Sequence, residues 1–280
     1  MNYPATHTTH ERELVGGQRF AFGDNWSQFL KVVDEERIER AVGSLRNMLD
    51  TQDLRGKSFL DVGSGSGLFS LAAKRLGAHV CSFDYDPQSV ACTEELKRRY
   101  YDNDDGWHIH IGSVLDEGFL QRLGKFDVVY SWGVLHHTGD MWTAMANVVM
   151  NVAPGGTLFL ALYNDQGRAS QIWWTIKKAY VGLPTYLRWL MLIPCYVVGW
   201  GPATIRDIVI LRPFRTWRTY KLSRGMSPHR DLIDWVGGFP FEVATPEQVF
   251  DFYKRHGYRL SKLRTCAGSL GCNEFVFQRN

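Results

Sequence analysis

The sequence has little of what would place a protein outside the cell, across a membrane or on nucleic acid. Its five cysteines, Cys81, Cys92, Cys195, Cys266 and Cys272, are odd in number, scattered and without a CxxC pair. That pattern argues against a disulfide framework and against a zinc site. No compact cluster of carboxylates and histidines points to another metal, so none is expected. The opening residues, MNYPATHTTHERELVGG, are polar where a cleavable signal needs an apolar core. A reducing cytoplasm is the expected setting. The net charge of +3 and the pI near 8.5 are too mild to imply a nucleic-acid partner. A strongly apolar stretch, WLMLIPCYVVGWGPATI, runs for 17 residues with Pro194, Gly199, Gly201 and Pro202 interrupting it. About 20 apolar residues are needed to span a bilayer, so the stretch is expected not to cross one.

What is present is a cofactor signature. Residues 59 to 67 read FLDVGSGSG, a short apolar strand ending in Asp61 and followed by glycines at 63, 65 and 67 that open a helix. Gly63 permits the tight turn and Gly65 lets backbone N–H groups approach a ligand. Gly67 lets the following helix pack closely on the strand. A second apolar strand, HVCSFDYD, places Asp84 at its carboxyl end 23 residues after Asp61. An acid there can accept both hydroxyls of a ribose. Further on, FDVVYSWGVLHHTGD reads as a buried strand running into a loop with Trp132, His136, His137 and Asp140, and APGGTLFLALYN supplies another turn and strand.

With these motifs in place, residues 55 to 165 resemble the class I S-adenosylmethionine-dependent methyltransferases. The LHHTGD loop is most similar to the small-molecule O-methyltransferases of the ubiquinone-biosynthesis and sugar-modifying type. The Asn/Asp-Pro-Pro-Tyr/Phe loop of many amino-methylating enzymes is missing. The resemblance implies an α/β fold: a Rossmann-like seven-stranded sheet, mostly parallel with a C-terminal antiparallel hairpin, helices on both faces and an inserted cap. It implies S-adenosyl-L-methionine as cofactor. Asp61 would hold the methionine end, beside Gly63, Ser64, Gly65 and Gly67, and Asp84 and Tyr85 the ribose. Ser113 stands where the family commonly has an acid near the adenine, so Ser113 and Val114 are expected there. Ser131 and Trp132 would complete the cofactor wall.

Transfer to a hydroxyl or thiol needs positioning and removal of a proton. Imidazole suits the second task near neutral pH. His137 aligns best with the loop histidine of the similar quinone O-methyltransferases, with Asp140 a short distance on. His136 is the weaker alternative and reads more readily as structural. The expected acceptor is a hydroxyl of a small molecule, quinol or sugar. A small thiol, or a membrane- or RNA-associated module on the same fold, is the alternative.

The chain divides in this reading into four parts. Residues 1–54 form an arm and a helix that can lie over the cofactor, with apolar residues at Ile38, Ala41, Val42, Leu45, Met48 and Leu49 packing on the sheet edge. RFAFGDNWSQFL is too irregular to read as a helix. Residues 55–164 are the cofactor-binding core. Residues 165–243 are an insertion expected to cap the acceptor, with Trp26, Tyr163, Trp173, Trp174 and Tyr180 as acceptor-side candidates. Residues 244–280 close the sheet, through a capping-box helix at TPEQVFDFYKRHG and two strands. Within the insertion, Arg212, Arg215, Arg218, Lys221 and Arg224 recur every third residue among Phe214, Trp217 and Tyr220. Such a run can hold an anionic substrate, lie on an acidic membrane through 189–224, or be a solvated face.

Overall fold

The computed structural model describes residues 4–213, 215–218, 228–268 and 271–280. Phe214, Tyr220, Lys221 and Arg224 of the basic run lie outside its described side chains. Seven strands form one sheet: β1 (Ser58–Val62), β2 (His79–Asp84), β3 (Trp107–Ile111), β4 (Phe126–Trp132), β5 (Val152–Tyr163), β6 (Tyr258–Arg264) and β7 (Cys272–Arg279). Their order is β3-β2-β1-β4-β5-β7-β6. β1 to β5 pair in parallel, and β7 runs antiparallel to both β5 and β6. Short apolar strands alternating with helices force this arrangement, because each crossover helix covers one face of the sheet. The chain steps from β3 on one side to β4 on the other, so the order reverses between β1 and β4. A crevice at the carboxyl ends of the strands belongs at such a reversal.

One face is covered by α3 (Glu35–Leu49), α4 (Leu68–Arg75) and α5 (Pro87–Tyr100), the other by α6 (Glu117–Leu123), α7 (Met141–Val149) and α11 (Pro246–Arg255). In α3 the side chains of Ile38, Ala41, Val42, Leu45 and Met48 are buried together with Phe59, Val128 and Phe159. The helix therefore lies on the face of the sheet beside α4 and not on its edge. Asp34 starts it, its side chain accepting from the Arg37 N–H. At the other end of the chain Thr245 and Gln248 form a reciprocal capping box for α11, the arrangement the TPEQ sequence predicts.

Three stretches differ from the sequence reading. Residues Pro4–Val15 form helix α1, and Phe22–Phe29, read as too irregular for a helix, form α2. The Ala21 that precedes α2 makes no side-chain cap, and what holds the helix is tertiary: the Gly23 N–H donates to Asp86 Oδ2 at 2.8 Å. The described part of the insertion contains α8 (Arg168–Gly182), α9 (Arg188–Val209) and α10 (Pro228–Gly237). The apolar stretch read as interrupted is continuous helix, with Pro194 and Pro202 both inside α9. Proline in a helix interior removes one hydrogen bond and bends the helix without having to end it. These helices and the arm share a third apolar cluster, built from Phe20, Tyr180, Val181, Leu192, Leu232 and Val236.

Candidate active site

A cavity of about 430 Å³ opens at the carboxyl ends of β1, β2 and β4, walled on its far side by α1 and α2. Its floor is the glycine turn. Gly63, Gly65 and Gly67 have φ of 80°, 55° and 78°, left-handed values that favour glycine. A Cβ at Gly65 would lie 2.9 Å from the Trp26 indole, and one at Gly63 would strike Val134. Gly67 caps α4, and a Cβ there would meet Thr93 of α5 at 3.0 Å. Its closeness thus serves helix against helix and not helix against strand; neither Gly67 nor Ser131 lines the cavity.

Asp61 is oriented by a buried chain of hydroxyls. The Trp107 indole can only donate, and its N–H lies 2.9 Å from Ser82 Oγ. Ser82 then donates to Ser70 Oγ at 2.7 Å, and Ser70 to Asp61 Oδ2 at 2.5 Å. Four elements, β3, β2, α4 and β1, thereby fix one carboxylate. Ser70, Ser82 and Trp107 were not singled out in the sequence because a serine inside a helix or strand has no distinctive spacing. Burial pushes the Asp61 carboxyl up to about 7, the Ser70 hydrogen bond opposing and the Asp84 charge adding to the rise. Asp84 accepts from the Gly65 N–H and the Asp86 N–H at 2.8 and 2.9 Å, and burial holds it at about 6 against those bonds and one from the Tyr85 N–H. A carboxylate has about four lone-pair sites, so Asp84 retains lone-pair capacity for a ligand. Ser64, Tyr85, Ser113, Val114 and Trp132 also line the cavity, as does Tyr130, whose buried hydroxyl has no hydrogen-bond partner among the described residues.

His137 lies on the same cavity, in a tight turn over Leu135–His137 after β4. Its Nδ1 is 2.6 Å from the Pro240 carbonyl. A carbonyl only accepts, so Nδ1 carries the proton and Nε2 carries the lone pair. Burial holds the ring at about 3, with the Pro240 contact opposing and the Lys177 and Arg19 charges adding to the depression. The imidazole is neutral throughout the physiological range. Arg19 donates to the His137 carbonyl at 2.9 Å and to Glu13 at 2.8 Å, tying the loop to the arm.

All but one of the other candidates lie elsewhere. His136 is fully buried outside the cavity, accepting from the Tyr163 N–H at 3.2 Å, with its ring 3.9 Å from that of Tyr163. The Asp140 side chain caps α7 by accepting from Thr143 N–H and does not line the cavity. Of the acceptor-side candidates, Trp26 lines the cavity against Gly65. Tyr163 and Trp173 pack on Trp235, Tyr180 is buried in the third cluster, and Trp174 borders a separate hollow of about 350 Å³. The cavity's remaining wall comes instead from His10, Glu13, Arg19, Phe20 and Phe22. The aromatic cluster around Gly23 was the only mark of that wall in the sequence.

A parallel sheet with this strand order and a terminal antiparallel strand, a glycine turn after β1 and an acid closing β2 define the class I methyltransferase fold. Residues 60–158 match the family described as methyltransferase domain, and through them the chain is similar to the class I S-adenosylmethionine-dependent methyltransferases. Among relatives it is 28% identical over 145 residues to a ubiquinone biosynthesis O-methyltransferase of Sinorhizobium fredii, covering 52% of this chain and 54% of that one. It is 27% identical over 187 residues to the enzyme of the same name from Escherichia fergusonii, covering 62% and 73%. The chain thus spans about half the length of the first of these relatives. Among solved structures, the magnesium protoporphyrin IX methyltransferase of Synechocystis PCC 6803, with bound SAH, superposes with a TM-score of 0.51 at 13% identity, over 88% of this chain and 83% of that one. The N-methyltransferase NodS of Bradyrhizobium japonicum, in complex with S-adenosyl-l-homocysteine, gives 0.50 at 14% identity, over 92% and 98%.

Proposed function

We propose that the chain binds S-adenosylmethionine in this cavity and transfers its methyl group to a hydroxyl of a small-molecule acceptor, a quinol or a sugar. The observation that carries the reading is the convergence of Asp61, Asp84, the Gly63–Gly65 turn and His137 on one cavity. When bound, the cofactor supplies an electrophilic methyl on a sulfonium. Asp61, fixed by the hydroxyl chain, takes a cationic amino group, and Asp84 takes ribose hydroxyls with its spare lone pairs. Ser113, Val114 and Leu115 line the cavity beyond Asp84 and suit the adenine. Tyr130 offers a further hydroxyl. Phe20, Phe22 and Trp26 keep water from the reacting face. His137, a weak base in its buried site, accepts a hydrogen bond from the acceptor hydroxyl at Nε2 and takes up its proton as the new bond forms, and the Pro240 carbonyl steadies the proton already on Nδ1. The names of the O-methyltransferase relatives support oxygen as the methylated atom. Calorimetry with S-adenosylhomocysteine tests the cofactor. A screen of quinol, phenol, sugar and thiol acceptors with labelled methyl donor tests the acceptor, and label appearing on thiols alone would displace the oxygen reading.

A further inference from the structure

Helix α9 is apolar on both of its sides. Leu192, with Met191, Cys195, Tyr196 and Trp200 partly buried around it, packs into the cluster shared with α8, α10 and the arm. On the opposite side Leu190, Ile193, Val197, Ile205 and Ile208 recur every three or four residues, with one gap, and are exposed. The exposure is large: Val197 65%, Val198 74%, and Leu211, just past the helix end, 87%. An ordinary surface helix carries polar residues there, and an apolar stripe of this length is a binding surface.

Charge says what it binds. From residue 166 to 230 the chain has eleven lysines and arginines and one acid, Asp207, a formal charge of +10 in a chain whose total is +3. The rest of the protein is therefore acidic. Asp207 itself is buried and accepts from the Thr216 N–H and hydroxyl, so no carboxylate stands on the apolar stripe. Arg206, Arg212, Arg215 and Arg218 are exposed at and beyond the helix's end. At the other end Tyr186 and Trp189 are exposed, the aromatic types that settle at a lipid headgroup boundary. A second copy of the chain would set these like-charged segments against each other.

We propose that α9 lies flat on an anionic phospholipid surface, the apolar stripe entering the headgroup boundary and Arg206, Arg212, Arg215 and Arg218 meeting lipid phosphates. No helix among the described residues is long and apolar enough to cross a membrane, and Arg206 within α9 fits a helix that rests on the bilayer.

The test is co-sedimentation of the full chain with vesicles of phosphatidylcholine alone or with about one third phosphatidylglycerol. Binding should be about tenfold stronger to the anionic vesicles and fall steeply at roughly 0.5 M salt. Val197→Asp with Ile205→Asp should remove it about tenfold or more, with circular dichroism unchanged. Arg212→Glu with Arg218→Glu, which leaves the stripe intact, should weaken binding to anionic vesicles alone. Two results overturn the proposal. One is wild-type protein that binds neither vesicle. The other is an oligomer by light scattering that the Val197→Asp, Ile205→Asp variant converts to monomer, which assigns the stripe to a second copy.

Discussion

Asp61 and Asp84 are carboxylic acids that burial holds at about 7 and about 6, and their state decides when the cavity accepts a cationic ligand. Folded values above the ordinary carboxyl value, about 3.9, mean a contribution to stability that is fully present below that value. It is lost as pH rises through about 6 to 7. A ligand that pairs with the ionised forms restores what is lost. The gain in Tm on adding saturating S-adenosylhomocysteine should therefore be larger at pH 8 than at pH 5, and equal gains would detach the two acids from the ligand. Asp84→Ala should weaken cofactor binding by about 1.5 to 3 kcal/mol, the range for losing hydrogen bonds to a charged, largely buried group. Ser70→Ala removes the hydroxyl that donates to Asp61, leaving the Ser70 N–H in place and the cavity surface untouched, so it should weaken cofactor binding about tenfold by calorimetry. A Ser70→Ala variant that binds as well as wild type would show that the hydroxyl chain does not position the acid. His137→Ala should lower turnover on a hydroxyl acceptor by about 10² to 10⁴ with cofactor affinity unchanged; an already ionised thiol acceptor should lose much less.

At the scale of elements, α2 is the piece on which closure of the cavity depends. It is only eight residues long, has no side-chain cap, and would not persist as an isolated helix. Contacts from distant parts of the chain hold it: Gly23 against Asp86 and Gln88, and Trp26 against Gly65. A Cβ at Gly23 would lie 2.6 Å from both Asp86 Oδ2 and Gln88 Cβ. Gly23→Leu should thus detach the arm, weakening cofactor binding about tenfold or more while the sheet's circular dichroism persists. The same reasoning explains what the sequence disclosed. The parallel strands, α3 and α11 were legible because their apolar spacing or caps are local. The arm helices were not legible, because α1 is polar and α2 is held by residues 39 or more positions away. Proline and glycine made α9 look broken, although Pro194 and Pro202 both stand on exposed positions where the loss of a hydrogen bond is tolerable.

For the whole molecule, the site was legible where it follows the strand ends, at Gly63, Gly65, Asp84 and His137, and illegible where it depends on packing between remote segments. Trp173 and Tyr180 have the helical spacing expected of pocket residues, yet they face the insertion's own core. Arg19, Phe20 and Phe22 have no motif at all and still form a wall. That wall has a consequence for the order in which the protein is made. The arm emerges from the ribosome well before its partners, since its Phe20 N–H donates to the carbonyl of Phe239 at 2.9 Å and its Asn25 side chain bonds Asp234, 209 positions later. During the intervening synthesis, at about 5 to 20 residues per second, the arm must wait without these native partners while the parallel strands between them assemble.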